Sequence, residues 1–154
     1  MNAMNAEGRP FKGCLFCGLM ITPKGPRVIE YNCRFGDPET QVVLPLLESD
    51  LFTIMKAVAE ERLSQVEVKF STGAACCVVL ASDGYPKKYA SGFEMTLPET
   101  GEGEYLFVAG AKKEGDKLLT AGGRVIGAVA TDKDLPTAVA HAYRVAAGVK
   151  FENA

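Results

Sequence analysis

From Arg27 to Arg34 the chain alternates in a way that suits an extended strand. Ile29, Tyr31 and Cys33 share one side, and Glu30, Asn32 and Arg34 share the other. The first set predicts a core-facing side with Tyr31 and Cys33 buried; the second predicts a polar one. Upstream, residues 11–21 are apolar at nearly every position, the pattern of a strand covered on both sides. Thr22–Pro23–Lys24–Gly25–Pro26 reads as the turn that joins the two strands into a hairpin.

Downstream, Gly36–Asp37–Pro38–Glu39 predicts a strand-to-helix change, with Asp37 as N-cap, Pro38 at the first helical position and Glu39 at the positive end of the dipole. That helix covers 38–43 and is interrupted by Pro45. Glu48–Ser49–Asp50 caps a second helix over 51–63, where Leu51, Ile54, Met55, Val58 and Leu63 recur near helical spacing. A short helix over 1–7 is broken by Gly8–Arg9–Pro10. After Ser64 the texture changes to short strands at 66–70, 74–81, 105–111, 117–120 and 124–131, separated by Gly-, Asp- and Pro-bearing turns. Asp134–Leu135–Pro136 opens a last helix over 137–148. The fold class is α+β, with domains predicted over 1–63 and 64–154.

Composition narrows the function classes. A chain of 154 residues with 47% apolar content builds a real core. The formal charge of −2 is spread without a basic block, which argues against a nucleic-acid partner. No apolar run reaches the roughly 20 residues of a membrane span, and no signal peptide opens the chain, so a cytoplasmic location is expected. The five cysteines, Cys14, Cys17, Cys33, Cys76 and Cys77, include one Cys-x-x-Cys spacing with no second pair to complete a zinc site. Buried free thiols in a reducing compartment are the expectation.

The polar side of the 27–34 strand carries the candidate chemistry. A carboxylate, an amide oxygen and a guanidinium stand in a row, neighbours roughly 6.6 Å apart. Carboxylate plus amide oxygen is a hard-oxygen pair suited to Mg²⁺, and an arginine beside it grips phosphate oxygens. A solvated strand face is the plain alternative.

The run Glu30–Tyr31–Asn32–Cys33–Arg34–Phe35–Gly36–Asp37–Pro38–Glu39–Thr40–Gln41 resembles the metal-binding strand of the ATP-grasp ligases, and among them the phosphoribosylamine–glycine ligase family. Gly8–Arg9–Pro10–Phe11–Lys12–Gly13, Gly18–Leu19–Met20, Ser82–Asp83–Gly84–Tyr85–Pro86 and Thr120–Ala121–Gly122–Gly123–Arg124–Val125 are similar to further segments of that family. The resemblance implies the C-terminal part of an ATP-grasp domain, made of antiparallel strands plus helices. A small β-rich domain of the rudimentary single-hybrid type then follows. Where the family often has His and Thr, this chain has Val108 and Ala111. Nothing matches the family's Gly-rich ATP clamp, so the chain resembles the C-terminal third of the ligase and no cofactor-binding residues for ATP are assigned.

By resemblance Glu30 and Asn32 hold Mg²⁺ (or Mn²⁺) against the phosphates of ATP, and Arg34 steadies the transferred phosphate as the catalytic residue. Asp37 and Arg124 are candidate substrate contacts. The implied partners are ATP, glycine and 5-phosphoribosylamine. The isolated chain is expected to be inactive and prone to self-association; other ATP-grasp ligases and a non-catalytic packing module are the alternatives. Gly122–Gly123 reads as a hairpin turn, with a phosphate cradle as its rival. His141, the single histidine, is expected to be structural, and Lys12 faces either a nucleotide cleft or solvent.

Overall fold

The computed structural model describes residues 1–154. The elements in order are α1 (Asn2–Ala6), β1 (Phe16–Thr22), β2 (Gly25–Asn32), α2 (Thr40–Val43), α3 (Leu51–Ala59), β3 (Ala74–Ala81), β4 (Glu104–Val108), β5 (Ala111–Glu114), β6 (Lys117–Thr120), β7 (Arg124–Asp132) and α4 (Leu135–Gly148). Helices and antiparallel sheets make this α+β, as the pattern predicted. The chain forms two compact units, one of residues 1–39 and 47–70, the other of 40–46 and 71–154.

The first unit is organised by the β1–β2 hairpin, which is antiparallel from Phe16↔Asn32 to Thr22↔Gly25. The turn is tighter than expected: Pro23 and Lys24 alone span it, Gly25 takes φ +92°, and the Thr22 hydroxyl donates to the Gly25 carbonyl at 2.7 Å. β1 starts at Phe16 and not at Phe11, because Gly13 at φ +141° takes the backbone out of extended geometry. Burial differs most from expectation. Tyr31 is 62% exposed and Cys33 is exposed as well, since no element covers that face.

α3 opens on Asp50, whose carboxylate accepts from the Thr53 amide at 2.7 Å. It ends at Ala59, short of Leu63, because Glu61 adopts φ 58° and the Arg62 amide bonds back to the Ala57 carbonyl at 2.9 Å. The strand predicted over 66–70 does not form. Only Phe70 bridges, to Leu47, while the Ser49 hydroxyl accepts from the Lys69 amide at 2.8 Å.

The second unit is built on a three-stranded antiparallel sheet in the order β3-β7-β4. β7 lies in the centre, and every residue from Val125 to Ala130 is buried. Leu80 opposes Ile126, and Val78 and Leu106 both oppose Ala128, so these side chains share one face. α4 covers that face with Ala138, Ala142, Val145 and Ala146, spaced at i, i+4, i+7 and i+8. Small residues on the helix let it approach closely. Its N-cap is Asp134, which accepts from the Thr137 amide at 2.9 Å. Met95, Val149 and Phe151 complete the core around Val125 and Ile126. β5 and β6 form a separate hairpin.

α2 begins at Thr40, two residues later than the predicted start at Pro38. Asp37–Pro38–Glu39 form a turn, with the Asp37–Pro38 peptide cis, and Pro45 leaves room for four helical residues before a short 3-10 turn at Leu44–Leu46.

Candidate metal and phosphate site

Glu30 and Asn32 stand on the same face of β2, as their spacing predicted. The Asn32 amide nitrogen donates to Glu30 Oε1 at 2.9 Å. Across the hairpin Glu30 pairs with Gly18, and a Cβ built on Gly18 would meet the Glu30 Cγ at 3.0 Å. Gly18 thus leaves the space in which the Glu30 side chain lies. The register shifts beside this pair: Gly18 opposes Glu30 while Leu19 opposes Val28, which leaves Ile29 as the extra residue of a β-bulge. A bulge re-aims the side chains that follow it. It also removes Ile29 from the regular alternation, so Ile29 and Tyr31 do not share a face by simple period two.

Arg34 is not part of the strand, which ends at Asn32. It sits in the bend that follows, is exposed, and donates from Nη1 to the Phe35 carbonyl at 3.0 Å. The row of three on one strand face is therefore a pair on the strand and a guanidinium just beyond its end. Asp37 is exposed in the next turn. Gly36 is buried there, and a Cβ on it would stand 2.5 Å from Glu39 Oε2, so the Glu39 side chain folds over its own turn. Lys12 is exposed and ion-paired with Glu61.

No group of three or more His, Cys, Asp or Glu side chains comes together to cage a metal. Glu30 and Asn32 do fit a magnesium ion, which takes one or two protein oxygens and completes its shell with water and substrate phosphates. The hydrogen bond between them holds the two donors adjacent. Rotation of the Asn32 amide brings its oxygen to the side its nitrogen now occupies.

The glycine pair at 122–123 is not a hairpin turn. β6 pairs with β5, whereas β7 pairs with β3 and β4, so the chain passes from one sheet to another there. Both glycines are required by contact. A Cβ on Gly122 would lie 2.8 Å from the Gly110 Cα, and one on Gly123 would lie 2.1 Å from the Tyr85 ring. Ser82, buried, binds the same segment: its amide donates to the Gly123 carbonyl at 2.8 Å and its hydroxyl to the Gly122 carbonyl at 3.0 Å. Three motif segments, around Ser82–Tyr85, Gly110 and Gly122–Arg124, thus converge, and Arg124 is half-buried at the start of β7. Sequence spacing offered no sign of that convergence beyond the glycines themselves.

Glu104 is one of the carboxylates whose ionisation the fold perturbs. The Gly101 amide, donating at 2.9 Å, and the Arg144 guanidinium hold its carboxyl below the usual range. His141 Nδ1 lies 3.1 Å from the Asp132 carboxylate, a contact between α4 and the end of β7. None of the five cysteines forms a disulfide and none is fully buried; Cys17 and Cys33 are exposed. The expectation of buried thiols fails where the hairpin lacks a cover.

Residues 75–154, more than half of the chain, match the family model described as phosphoribosylglycinamide synthetase, C domain. The chain belongs to the phosphoribosylglycinamide synthetase family. Residues 1–40, which include Glu30 and Asn32, match the ATP-grasp (A) domain of the same family. The phosphoribosylamine–glycine ligase of Chlorobaculum tepidum is 45% identical over 154 residues, covering 98% of this chain and 36% of that protein. The trifunctional purine biosynthetic protein adenosine-3 of Gallus gallus is 44% identical over 155 residues, covering 99% of this chain and 16% of its own length. The crystal structure of the phosphoribosylamine–glycine ligase of Thermotoga maritima superposes with a TM-score of 0.85 at 35% identity, over 97% of this chain and 37% of that one. The chain therefore spans little more than a third of the ligases it matches.

Proposed function

We propose that this chain is the C-terminal portion of an ATP-dependent ligase that joins glycine to 5-phosphoribosylamine, a step of purine biosynthesis. The observation that carries the reading is the Glu30–Asn32 pair, aligned on one strand face within the segment that matches an ATP-grasp domain. In this reading 1–63 is the end of the ATP-grasp domain, and 64–154 is the β-rich domain of the rudimentary single-hybrid type. In this reading the protein works in the cytoplasm.

Glu30 and Asn32 would hold Mg²⁺, or Mn²⁺, which would supply charge neutralisation for phosphoryl transfer from ATP onto the glycine carboxylate. Arg34, free of the strand's pleat, swings to the transferred phosphate and orients it through paired N–H donors. Asp37 and Arg124 contact substrate from the adjoining turn and from the start of β7. Alone, the chain does not turn over: two protein oxygens do not retain a triphosphate that nothing else clamps.

Two measurements test this. In the chain itself, Mn²⁺ should broaden the NMR signals of Glu30 and Asn32 first, and Glu30→Gln should abolish that pattern while the circular dichroism stays unchanged. In a chimera joining this chain to the upstream two-thirds of the Chlorobaculum tepidum ligase, glycine-dependent ADP release should fall about 100-fold or more with Glu30→Gln, in line with losing charge stabilisation at a phosphoryl-transfer site. Full activity of that variant at ordinary Mg²⁺ would remove Glu30 from the metal.

A further inference from the structure

Two polar side chains are buried in the second unit, Ser82 at 2% exposure and Thr120 at 0%, and both bind the passage from β6 to β7. The Thr120 hydroxyl accepts from the Gly92 and Phe93 amides at 3.1 and 3.2 Å, which fixes the passage where it leaves β6. Ser82 fixes the far end, its hydroxyl on the Gly122 carbonyl and its amide on the Gly123 carbonyl. The register of β3 on β7 shifts beside it: Leu80 opposes Ile126 while Ala81 opposes Arg124, which leaves Val125 as the extra residue of a bulge. Residues two apart share a strand face, so regular pairing would put Arg124 on the side of Ile126, which packs into the core with Leu80 and Leu106. The bulge takes Arg124 out of that alternation.

We propose that Ser82 is a positioning residue, whose hydroxyl sets the direction in which Arg124 leaves β7 toward substrate. The proposal rests on the reading of Arg124 as a substrate contact. Glycine has more backbone freedom than any other residue, so two glycines directly before Arg124 form a pivot unless something holds them. Ser82 holds both. It is held in turn: its carbonyl accepts from the Tyr85 amide at 3.0 Å, and the Tyr85 ring occupies the space a side chain on Gly123 would need. A residue needed only to fill this space would carry no hydroxyl, because a buried hydroxyl costs free energy unless it is hydrogen-bonded. The bond to the Gly122 carbonyl is therefore what serine adds over alanine, and it acts on the backbone two residues before Arg124.

NMR relaxation of the Gly122, Gly123 and Arg124 amides in the chain itself reads the pivot. Order parameters of about 0.85 are expected, falling below about 0.6 with Ser82→Ala and staying high with Ser82→Thr, which keeps the hydroxyl. Low values in the unaltered chain overturn the proposal with no variant required. In the chimera with the upstream part of the Chlorobaculum tepidum ligase, Ser82→Ala should lower kcat/KM about tenfold for whichever of glycine and 5-phosphoribosylamine Arg124→Ala impairs, and Ser82→Thr should restore it to within about threefold. In the Arg124→Ala background the same Ser82→Ala change should cost less than about twofold, because a residue that acts through Arg124 has nothing left to position. A loss that persists there marks a general structural role and overturns the proposal. Full kcat/KM in Ser82→Ala while Arg124→Ala is impaired overturns it as well, and leaves the substrate contact standing. Full activity of Arg124→Ala removes that contact, and the proposal falls with it.

Discussion

Gly110→Ala should destabilise the second unit strongly. A Cβ at this position would stand 2.5 Å from the Arg124 carbonyl oxygen and 2.6 Å from the Gly122 Cα, both backbone atoms. Ordinary carbon contacts lie at about 3.5–4.0 Å, so the two segments must separate by about 1 Å. Two hydrogen bonds span that crossing, Gly110 amide to Arg124 carbonyl at 2.8 Å and Ala121 amide to Gly110 carbonyl at 2.7 Å. Stretching both forfeits about 1–3 kcal/mol, and residual crowding adds a further cost of about 1 kcal/mol or more. The reduced freedom of the unfolded chain returns about 0.4–1 kcal/mol. The net loss is about 2–3 kcal/mol, which for a unit of about 90 residues lowers Tm by about 10–20 °C. Near-UV circular dichroism reports on this unit selectively, because the chain has no tryptophan and every tyrosine except Tyr31 lies within it. Gly115→Asn is the control: Gly115 has φ +59° and nothing within 4 Å of an added Cβ, and asparagine tolerates that conformation, so Tm should move by less than about 4 °C. If Gly110→Ala melted within about 3 °C of the parent, the backbone crossing described here would be wrong.

Gly18→Val should leave the fold in place, since valine favours strands and Glu30 is exposed and able to move, but it should lower Mn²⁺ affinity about tenfold by displacing the carboxylate that Gly18 makes room for; titration followed by NMR line broadening would show it, and unchanged affinity would refute the positioning role. Acid should destabilise the chain through Asp50, Glu104 and Asp134, whose carboxyls are held low, the two aspartates first by the Thr53 and Thr137 hydroxyls and Glu104 first by the Gly101 amide. A depressed folded pKa means stability that is whole above the unfolded value of about 4 and is lost as pH falls through the lower folded one. Tm should therefore hold from neutral pH to about 5 and fall steeply below 4, and Glu104→Gln should flatten that acid limb; an acid limb unchanged by the substitution would exclude Glu104.

What the sequence disclosed follows from how local each determinant is. α4 was legible because its cap, its proline and its small-residue face are all written within fifteen residues, and Asp50 announced α3 in the same way. β3 and β6 appeared at their predicted bounds, since a run of apolar residues between turns needs no further partner to be read. The polar pair Glu30–Asn32 was legible for the same reason: two residues apart on a strand is a local relation, and the 2.9 Å hydrogen bond joins two side chains of that one strand.

Everything that failed depends on a neighbour far along the chain or outside it. Tyr31 and Cys33 have the composition of core residues, yet burial is a property of what lies opposite, and nothing here does. The bulge at Ile29 is set by the β1–β2 register, which no residue of β2 declares. Alternation continues through Arg34, but alternation does not say where hydrogen-bonded pairing stops, and β2 ends at Asn32. Gly122–Gly123 has the composition of a turn, which glycine pairs usually form; here Gly122 is needed by Gly110 and Gly123 by Tyr85, contacts across twelve and thirty-eight residues. The same distinction ranks the candidate site. The proposed metal ligands lie two residues apart on one strand with Arg34 two residues beyond, whereas Arg124 takes its position from three converging segments, so substitutions at Ser82, Gly110 or Tyr85 should disturb Arg124.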